Sequence, residues 1–336
     1  MRRRDFISLL VGGAAVVWPL AAGAQQIPNR KRVAIFSPAE PSADLREHSK
    51  TKAWRALFAE LRRLGQIEGQ NLEVERYGRE QNTSGLEALA TEVVRGNPAI
   101  IYVIGADAVI FKKLTSRIPV VVTTSDPVKQ GLAESLAHPG GNFTGASIDA
   151  GLSIHGKRIA LLREMVPTIS ILGCLALRAY WNGPTAGPAI RAAAEAASLA
   201  LRVSLVEFGA SEADYRAAIE SISRDGANAV MVLPSPETFQ NSTLIAKLLS
   251  DVKLPTIFSF TESVEAGGLM AYSFDLIELY KRSAHPIDAI LRGAKPGDIP
   301  FYQVTKFELS INIKTAKQLG LSVPPALVAI ADTVIE

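Results

Sequence analysis

The sequence predicts an α/β protein of two lobes, each built on a doubly wound, mostly parallel sheet. Three observations lead there. Short β-branched runs such as residues 119–122 (PVVV) cannot be amphipathic and suit strands buried on both faces of a parallel sheet. They alternate with amphipathic helical stretches at the spacing of βαβ units. The rhythm restarts near Asp149, and about 312 residues remain beyond an N-terminal leader, too many for one comfortable core and enough for two lobes.

Residues 1–24 read as a Tat-like export signal. Arg2, Arg3 and Arg4 precede Asp5-Phe6-Ile7, an apolar run continues to about Ala22, and Ala22-Gly23-Ala24 offers small residues for cleavage. The RRDFI segment looks like the twin-arginine pattern, although a Sec signal can also start with arginines. The apolar run is short of the roughly 20 residues that a membrane span needs. No Cys lies near Ala24 to carry a lipid anchor, so the expected location is the periplasm. Without Arg2, Arg3, Arg4 and Asp5 the formal charge of +3 falls to +1, far from the concentrated basic footprint of a nucleic-acid binder. Cys174, the only cysteine, excludes an internal disulfide and sits in an apolar run that suits a buried, inert thiol.

Residues 32–36 (RVAIF) form the first expected strand, ending in a polar, proline-broken loop at 37–44. Ala53, Leu57, Leu61 and Leu64 share one helical face, and Gly65 stops that helix. Residues 71–77 alternate as a strand. Leu86, Leu89, Ala90 and Val93 mark a second helix closed by Gly96-Asn97-Pro98, and residues 99–104 are the next strand, tipped by Gly105-Ala106-Asp107. After another helix, the strand at 119–122 runs into Thr123-Thr124-Ser125-Asp126-Pro127, where Asp126 can cap a helix starting at Pro127. Gly140 to Gly145 (GGNFTG) reads as a tight turn between the lobes. The second half repeats the pattern: helix 152–165, strand 170–177, loop 178–184, alanine-rich helix 188–201, strand 202–208, helix 212–224, and strands at 227–233 and 256–258. Residues 267–273 lead to a helix at 276–291, and a late strand at 307–313 precedes a short helix at 314–319.

Open α/β sheets hold their ligands outside the carboxyl ends of the strands. The candidate binding residues are therefore those at the polar tips: Ser37, Asp107, Thr124, Ser125, Asp126, Tyr180, Trp181, Asn182, Ser235 and Glu262. Thr124, Ser125 and the helix amino end after Asp126 offer donors that suit a carboxylate. Asp107, Asp126 and Glu262 can neutralise an ammonium. Asp126 has a second reading as a helix cap only. Tyr180 and Trp181 likewise have two, as core residues or as a cleft wall packing on an apolar or aromatic side chain.

Signals for chemistry are weak. GLSIHGKR at 151–158 has Arg158 where a phosphate loop needs Ser or Thr, and no buried strand directly precedes it. His48, His138, His155 and His285 lack metal-ligand spacing, and neither G-x-S-x-G nor G-x-G-x-x-G occurs. No catalytic residue, metal or cofactor is expected. The alternatives to a solute-binding protein are an enzyme using the same cleft and a sensor that presents its closed form to a receptor.

The succession RVAIFSP, FAELRRLGQIEGQNLEVE, SDPVKQGLAESLAHPGGNFTG, EAGGLMAYS, GAKPGDIPFYQVTKFELSINIKTAKQLGLSVPP and ADTVIE resembles the ABC-transporter substrate-binding proteins related to the tryptophan-binding TrpX proteins. The likeness spans nearly the whole chain beyond the leader. It implies the type I periplasmic-binding-protein fold: two α/β lobes, a hinge crossed three times, one small-molecule solute in the cleft and no catalysis. On that basis the first lobe is expected at 29–148 plus 275–297 and the second at 149–274 plus 298–336. The implied partners are the solute, an apolar or aromatic amino acid or related acid, and an inner-membrane ABC permease, with the protein itself a monomer. RAYWNG at 178–183 stands where many relatives carry a plainer Asn-Pro-rich loop, and Thr261 where a basic residue is common.

Overall fold

The computed structural model describes residues 30–148 and 153–336. The expected export signal and the first residue of the expected helix at 152–165 lie outside them. In chain order the strands are β1 Lys31–Phe36, β2 Leu72–Tyr77, β3 Ile100–Ile104, β4 Val120–Thr124, β5 Phe143–Ser147, β6 Ile171–Leu177, β7 Ala200–Val206, β8 Ala229–Val232, β9 Thr256–Phe258, β10 Met270–Phe274, β11 Tyr302–Gln303, β12 Phe307–Asn312 and β13 Thr333–Ile335. The helices are α1 Lys52–Arg63, α2 Leu86–Arg95, α3 Ala108–Leu114, α4 Ser153–Met165, α5 Arg178–Trp181, α6 Ala186–Ala196, α7 Glu212–Arg224, α8 Pro236–Gln240, α9 Ser242–Asp251, α10 Thr261–Glu265, α11 Leu276–Leu291, α12 Ile313–Gln318 and α13 Pro325–Ile330.

Two sheets result, one per lobe, as the alternating pattern requires. The first runs β11-β5-β4-β3-β1-β2 with every pairing parallel. The second runs β13-β12-β10-β9-β8-β6-β7, parallel except where β10 meets β12. β3 and β4 are buried along their whole length, which is why their sequences are apolar without alternation. Each sheet is covered on both faces. On the first, Trp54 and Leu57 of α1 pack with Ile287 and Leu291 of α11 on one side, and Leu89 and Val93 of α2 with Phe111 of α3 lie on the other. Trp54 meets Tyr102 and Tyr280 edge to face at ring-centroid distances of 6.1 and 5.1 Å. Such pairs add about 0.5–1.5 kcal/mol each beyond burial.

The chain passes between sheets after β5, after β10 and after β11. The last passage falls later than the sequence suggests. Tyr302 and Gln303 pair with Ala146 and Ser147, the Ile299 carbonyl accepts from Thr144 Oγ1 at 2.8 Å, and Phe301 buries in the first lobe's core. Residues 298–303 therefore lie with the first lobe, and the return comes before Phe307.

Other expectations need correction. No helix follows Pro127: residues 127–132 form successive turns, and Gly131, at φ +69°, takes the chain out of helical conformation within about one turn. GGNFTG does not turn between lobes; its second half is β5, central enough to pair with β4. The alanine-rich helix ends five residues early at Ala196, because Ser198 adopts φ +54° and β7 begins at Ala200. The loop at 178–184 begins with the short helix α5, and the polar tips at 234–237 and 259–262 are helix starts, α8 and α10.

Candidate ligand-binding site

The strand order reverses between β1 and β3 in the first sheet and between β6 and β8 in the second. At such switch points adjacent connections leave to opposite faces of the sheet and open a crevice beyond the strand ends. Here the two crevices face each other. The tips of β1, β3 and β4 supply Glu40, Asp107, Thr123, Thr124 and Ser125, while those of β6 and β8 supply Leu177, Tyr180, Ser235 and Glu237. Phe239, Phe260, Phe274, Leu279 and Tyr280 complete the wall. The cavity holds about 850 Å³ of non-atom space, counted to its open mouth. Its lining is mainly apolar with a few convergent polar groups, as in small-molecule sites.

The lobes touch around this cavity. Gln240 Nε2 of α8 donates to Glu40 Oε2 at 2.8 Å, and the Ser125 and Thr185 hydroxyls lie 3.4 Å apart. Gly105, at φ +94°, brings the β3 tip so close to Pro236 that an added Cβ would stand 3.2 Å from its ring carbons. Phe239 and Phe260 meet edge to face at 5.1 Å, and Phe260 and Phe274 at 5.8 Å, forming an aromatic ridge beside the hinge.

Three carboxyl groups converge on the polar side. Glu40 accepts from Ser37 Oγ and from Trp54 Nε1, both at 2.8 Å, besides Gln240, and its burial still holds its pKa above the usual carboxylate range. Asp107 is pushed up to about 7, first by burial and then by the charge of Glu237. Glu237 is raised mainly by burial; its Oε1 accepts from the Gly209 amide at 2.9 Å, while its Oε2 is buried without a partner. The cavity also holds two hydroxyls fixed by one amide: Thr124 Oγ1 donates to Gln130 Oε1 at 2.8 Å, and Gln130 Nε2 donates to Ser125 Oγ at 3.2 Å. Acids that resist ionisation beside ordered hydroxyls suit a cationic group next to an oxygen-bearing one. Among the described residues no group of three His, Cys, Asp or Glu is placed to hold a metal ion.

The sequence pattern of the family described as ABC transporter substrate binding protein matches residues 44–335. The chain belongs to this family. A curated relative, the tyrosine-binding protein of Clostridioides difficile (strain R20291), is 27% identical over 284 residues, covering 83% of this chain and 80% of the relative. Two solved structures share the fold. One is a conserved domain protein of Vibrio cholerae, with a TM-score of 0.78, 24% identity, and coverage of 90% of this chain and 99% of the other. The second, from Streptococcus pneumoniae, is an ABC domain in complex with L-Trp; it has a TM-score of 0.77 and 21% identity, and covers 91% of this chain and 100% of the other.

In this substrate-binding protein, five of the ten residues singled out from sequence line the cavity: Asp107, Thr124, Ser125, Tyr180 and Ser235. Ser235 also caps α8, its Oγ accepting from the Thr238 amide at 3.0 Å. Ser37 stands one residue deep, holding Glu40. The other four lie elsewhere. Asp126 caps the turn after β4, its Oδ1 accepting from the Val128 and Lys129 amides at 3.1 and 2.9 Å. Trp181 is buried in the second lobe's core beneath the Arg191 guanidinium, 4.8 Å from its ring centroid. Asn182 ends α5 and is exposed, and Glu262 lies in the first turn of α10 outside the cavity lining. Sequence reasoning missed Glu40, Glu237 and the aromatic ridge. Glu237 follows Ser235 at a strand tip already identified, and Glu40 lies in the loop after β1, so the switch-point rule was the available signal for both.

Proposed function

We propose that the protein binds an apolar or aromatic amino acid, or a closely related small acid, between its lobes in the periplasm and delivers it to the permease of an ABC importer. The carrying observation is the cavity itself, where Asp107 and Glu237, from opposite lobes, share an apolar wall with the ordered hydroxyls of the β4 tip. The acids take the ammonium. The carboxylate goes to the Ser125 hydroxyl, whose proton is left free when its oxygen accepts from Gln130, and the side chain packs against Tyr180, Phe239, Phe260 and Phe274. Because the two acids come from different lobes and the aromatic wall from the second, the ligand gains its full contacts only when both lobes close on it, and its affinity for the closed form drives closure. The tyrosine-binding relative and the neighbour in complex with L-Trp support the same class. The protein acts as a binding component and leaves its solute unchanged, since among the described residues the cavity joins no nucleophile to a base.

Titration calorimetry with aromatic and aliphatic amino acids, aromatic acids and sugars tests this. The expected result is saturable binding of an amino acid with one site per chain. Binding of sugars alone, or conversion of the bound solute on long incubation, would overturn it.

A further inference from the structure

The charge balance of the main cavity is one-sided. Glu40, Asp107 and Glu237 line it, and among the described lining residues there is no Lys, Arg or His. Residues 149–152, which follow the lining residue Ile148, are Asp-Ala-Gly-Leu in sequence and add no cation. Two basic groups nearby are committed elsewhere. Arg79, whose charge acts on Glu40 and Glu237, is exposed, lies outside the lining and donates to the Ala39 carbonyl. Arg158 stands behind the wall made by Ser125, Tyr180 and Phe274, its Nε donating to the Tyr272 carbonyl at 3.0 Å and the residue engaged in a further interaction besides. The three acids differ in what they have left to offer. Glu40 already accepts from Ser37, Trp54 and Gln240. Glu237 is 4% exposed, and while its Oε1 takes the Gly209 amide, its Oε2 is buried without a partner. Folded chains seldom leave such an atom unsatisfied except where a ligand or water completes it. Asp107 stands at the amino end of α3 but makes no side-chain cap hydrogen bond there, and the charge of Glu237 acts on it from the other lobe. An ammonium carries three N–H donors and can serve both carboxyls at once, replacing repulsion across the cleft with charge-assisted bonds. A carboxylate gains less: the Ser125 hydroxyl that receives it is neutral, and the poorly solvated space it enters already holds three acids.

We propose that the ammonium is the group the cavity selects and that the carboxylate is dispensable, so that apolar and aromatic primary amines lacking a carboxylate bind as tightly as the matching amino acids or more so. This selectivity rests on the amino-acid reading for the place of the ammonium, between Asp107 and Glu237, and widens the solute class from zwitterions to monocations. Glu237, with its unpaired oxygen, is the specificity residue.

Calorimetry with L-phenylalanine, 2-phenylethylamine and 3-phenylpropanoate separates the two groups at about pH 8, where Asp107 is ionised and the amines are still cationic. The wild-type protein is expected to bind 2-phenylethylamine as tightly as L-phenylalanine or more tightly, and 3-phenylpropanoate about a hundredfold more weakly than either, the loss of two charge-assisted bonds at roughly tenfold each. Glu237→Gln keeps the size of the side chain and an oxygen for the Gly209 amide but removes the charge. It should weaken both amines about tenfold and should not weaken 3-phenylpropanoate; circular dichroism confirms folding. L-phenylalanine binding about tenfold or more tighter than 2-phenylethylamine overturns the amine selectivity and leaves the amino-acid reading in place. Binding of 2-phenylethylamine without L-phenylalanine leaves the selectivity standing and removes that reading. 3-Phenylpropanoate as tight as 2-phenylethylamine, or unchanged amine affinity in Glu237→Gln, overturns the selectivity as well, and failure of all three probes to bind overturns both.

Discussion

Asp107 makes ligand affinity depend on pH. Burial and the neighbouring Glu237 raise it to about 7, so below neutrality the empty site holds a proton where an ammonium must bind. A cationic solute must displace that proton, and affinity should therefore fall by up to tenfold per pH unit below about 7 and level off above it. Calorimetry in buffers of different ionisation enthalpy should register proton release at pH 6, and Glu237→Gln, which removes the like charge, should move the inflection to lower pH. A flat profile would separate Asp107 from the ligand. Asp126 behaves differently although the sequence suggested the same role for both. Its Oδ1 is committed to two backbone amides and its Oδ2 to Lys129 Nζ at 3.0 Å. Asp126→Ala should cost about 0.5–2 kcal/mol in denaturant unfolding, as cap losses do, and leave ligand affinity unchanged. Asp107, Thr124 and Ser125 were legible because each ends a recognisable strand. Glu40 was not: a lone acid in a proline-broken loop looks like surface charge until Trp54 and Gln240, distant in sequence, are seen to bury it.

At the scale of elements, α5 shows how adjacent residues take opposite fates. Consecutive helical positions differ by about 100° in direction. Tyr180 therefore reaches the cavity while Trp181 packs with Leu172, Ile190 and Leu233 in the core. Read as a loop, the pair offered no basis for separating them. Trp181→Ala should cost about 3–5 kcal/mol of stability, the usual range for emptying an aromatic core position, as measured by urea unfolding. Tyr180→Ala should weaken ligand binding and, because the ring is only partly buried against the core, lower the unfolding midpoint less than Trp181→Ala. Similar effects of the two would contradict the division. The strands divide in the same way. β3 and β4 announced themselves because burial on both faces demands unbroken apolar runs. β5, with Gly145 among small residues, resembled a turn, and β13 is only three residues long, so neither carries a periodicity that a sequence can display.

The two-lobed plan was legible because the βαβ rhythm repeats, whereas the fit of one lobe against the other depends on contacts between residues about 200 positions apart. The Gln240–Glu40 bond is the clearest of these, joining a neutral amide to a carboxyl buried on the other lobe. It exists only when the lobes are together, so it contributes to the closed state and nothing to the open one. Gly105 marks the close approach: at φ +94° and with a Cβ 3.2 Å from the Pro236 ring, a side chain there strains the turn and presses on the other lobe. Small-angle scattering should accordingly show a radius of gyration that decreases when the wild-type protein is saturated with solute. Gln240→Ala removes one hydrogen bond to a carboxyl, and losing about 1.4 kcal/mol from the closed state would weaken binding about tenfold, without altering the radius reached at saturation. Gly105→Val should bind more weakly still and remain expanded even with ligand present. Identical wild-type profiles with and without saturating solute would exclude closure as the means by which the two half-sites are brought onto the ligand.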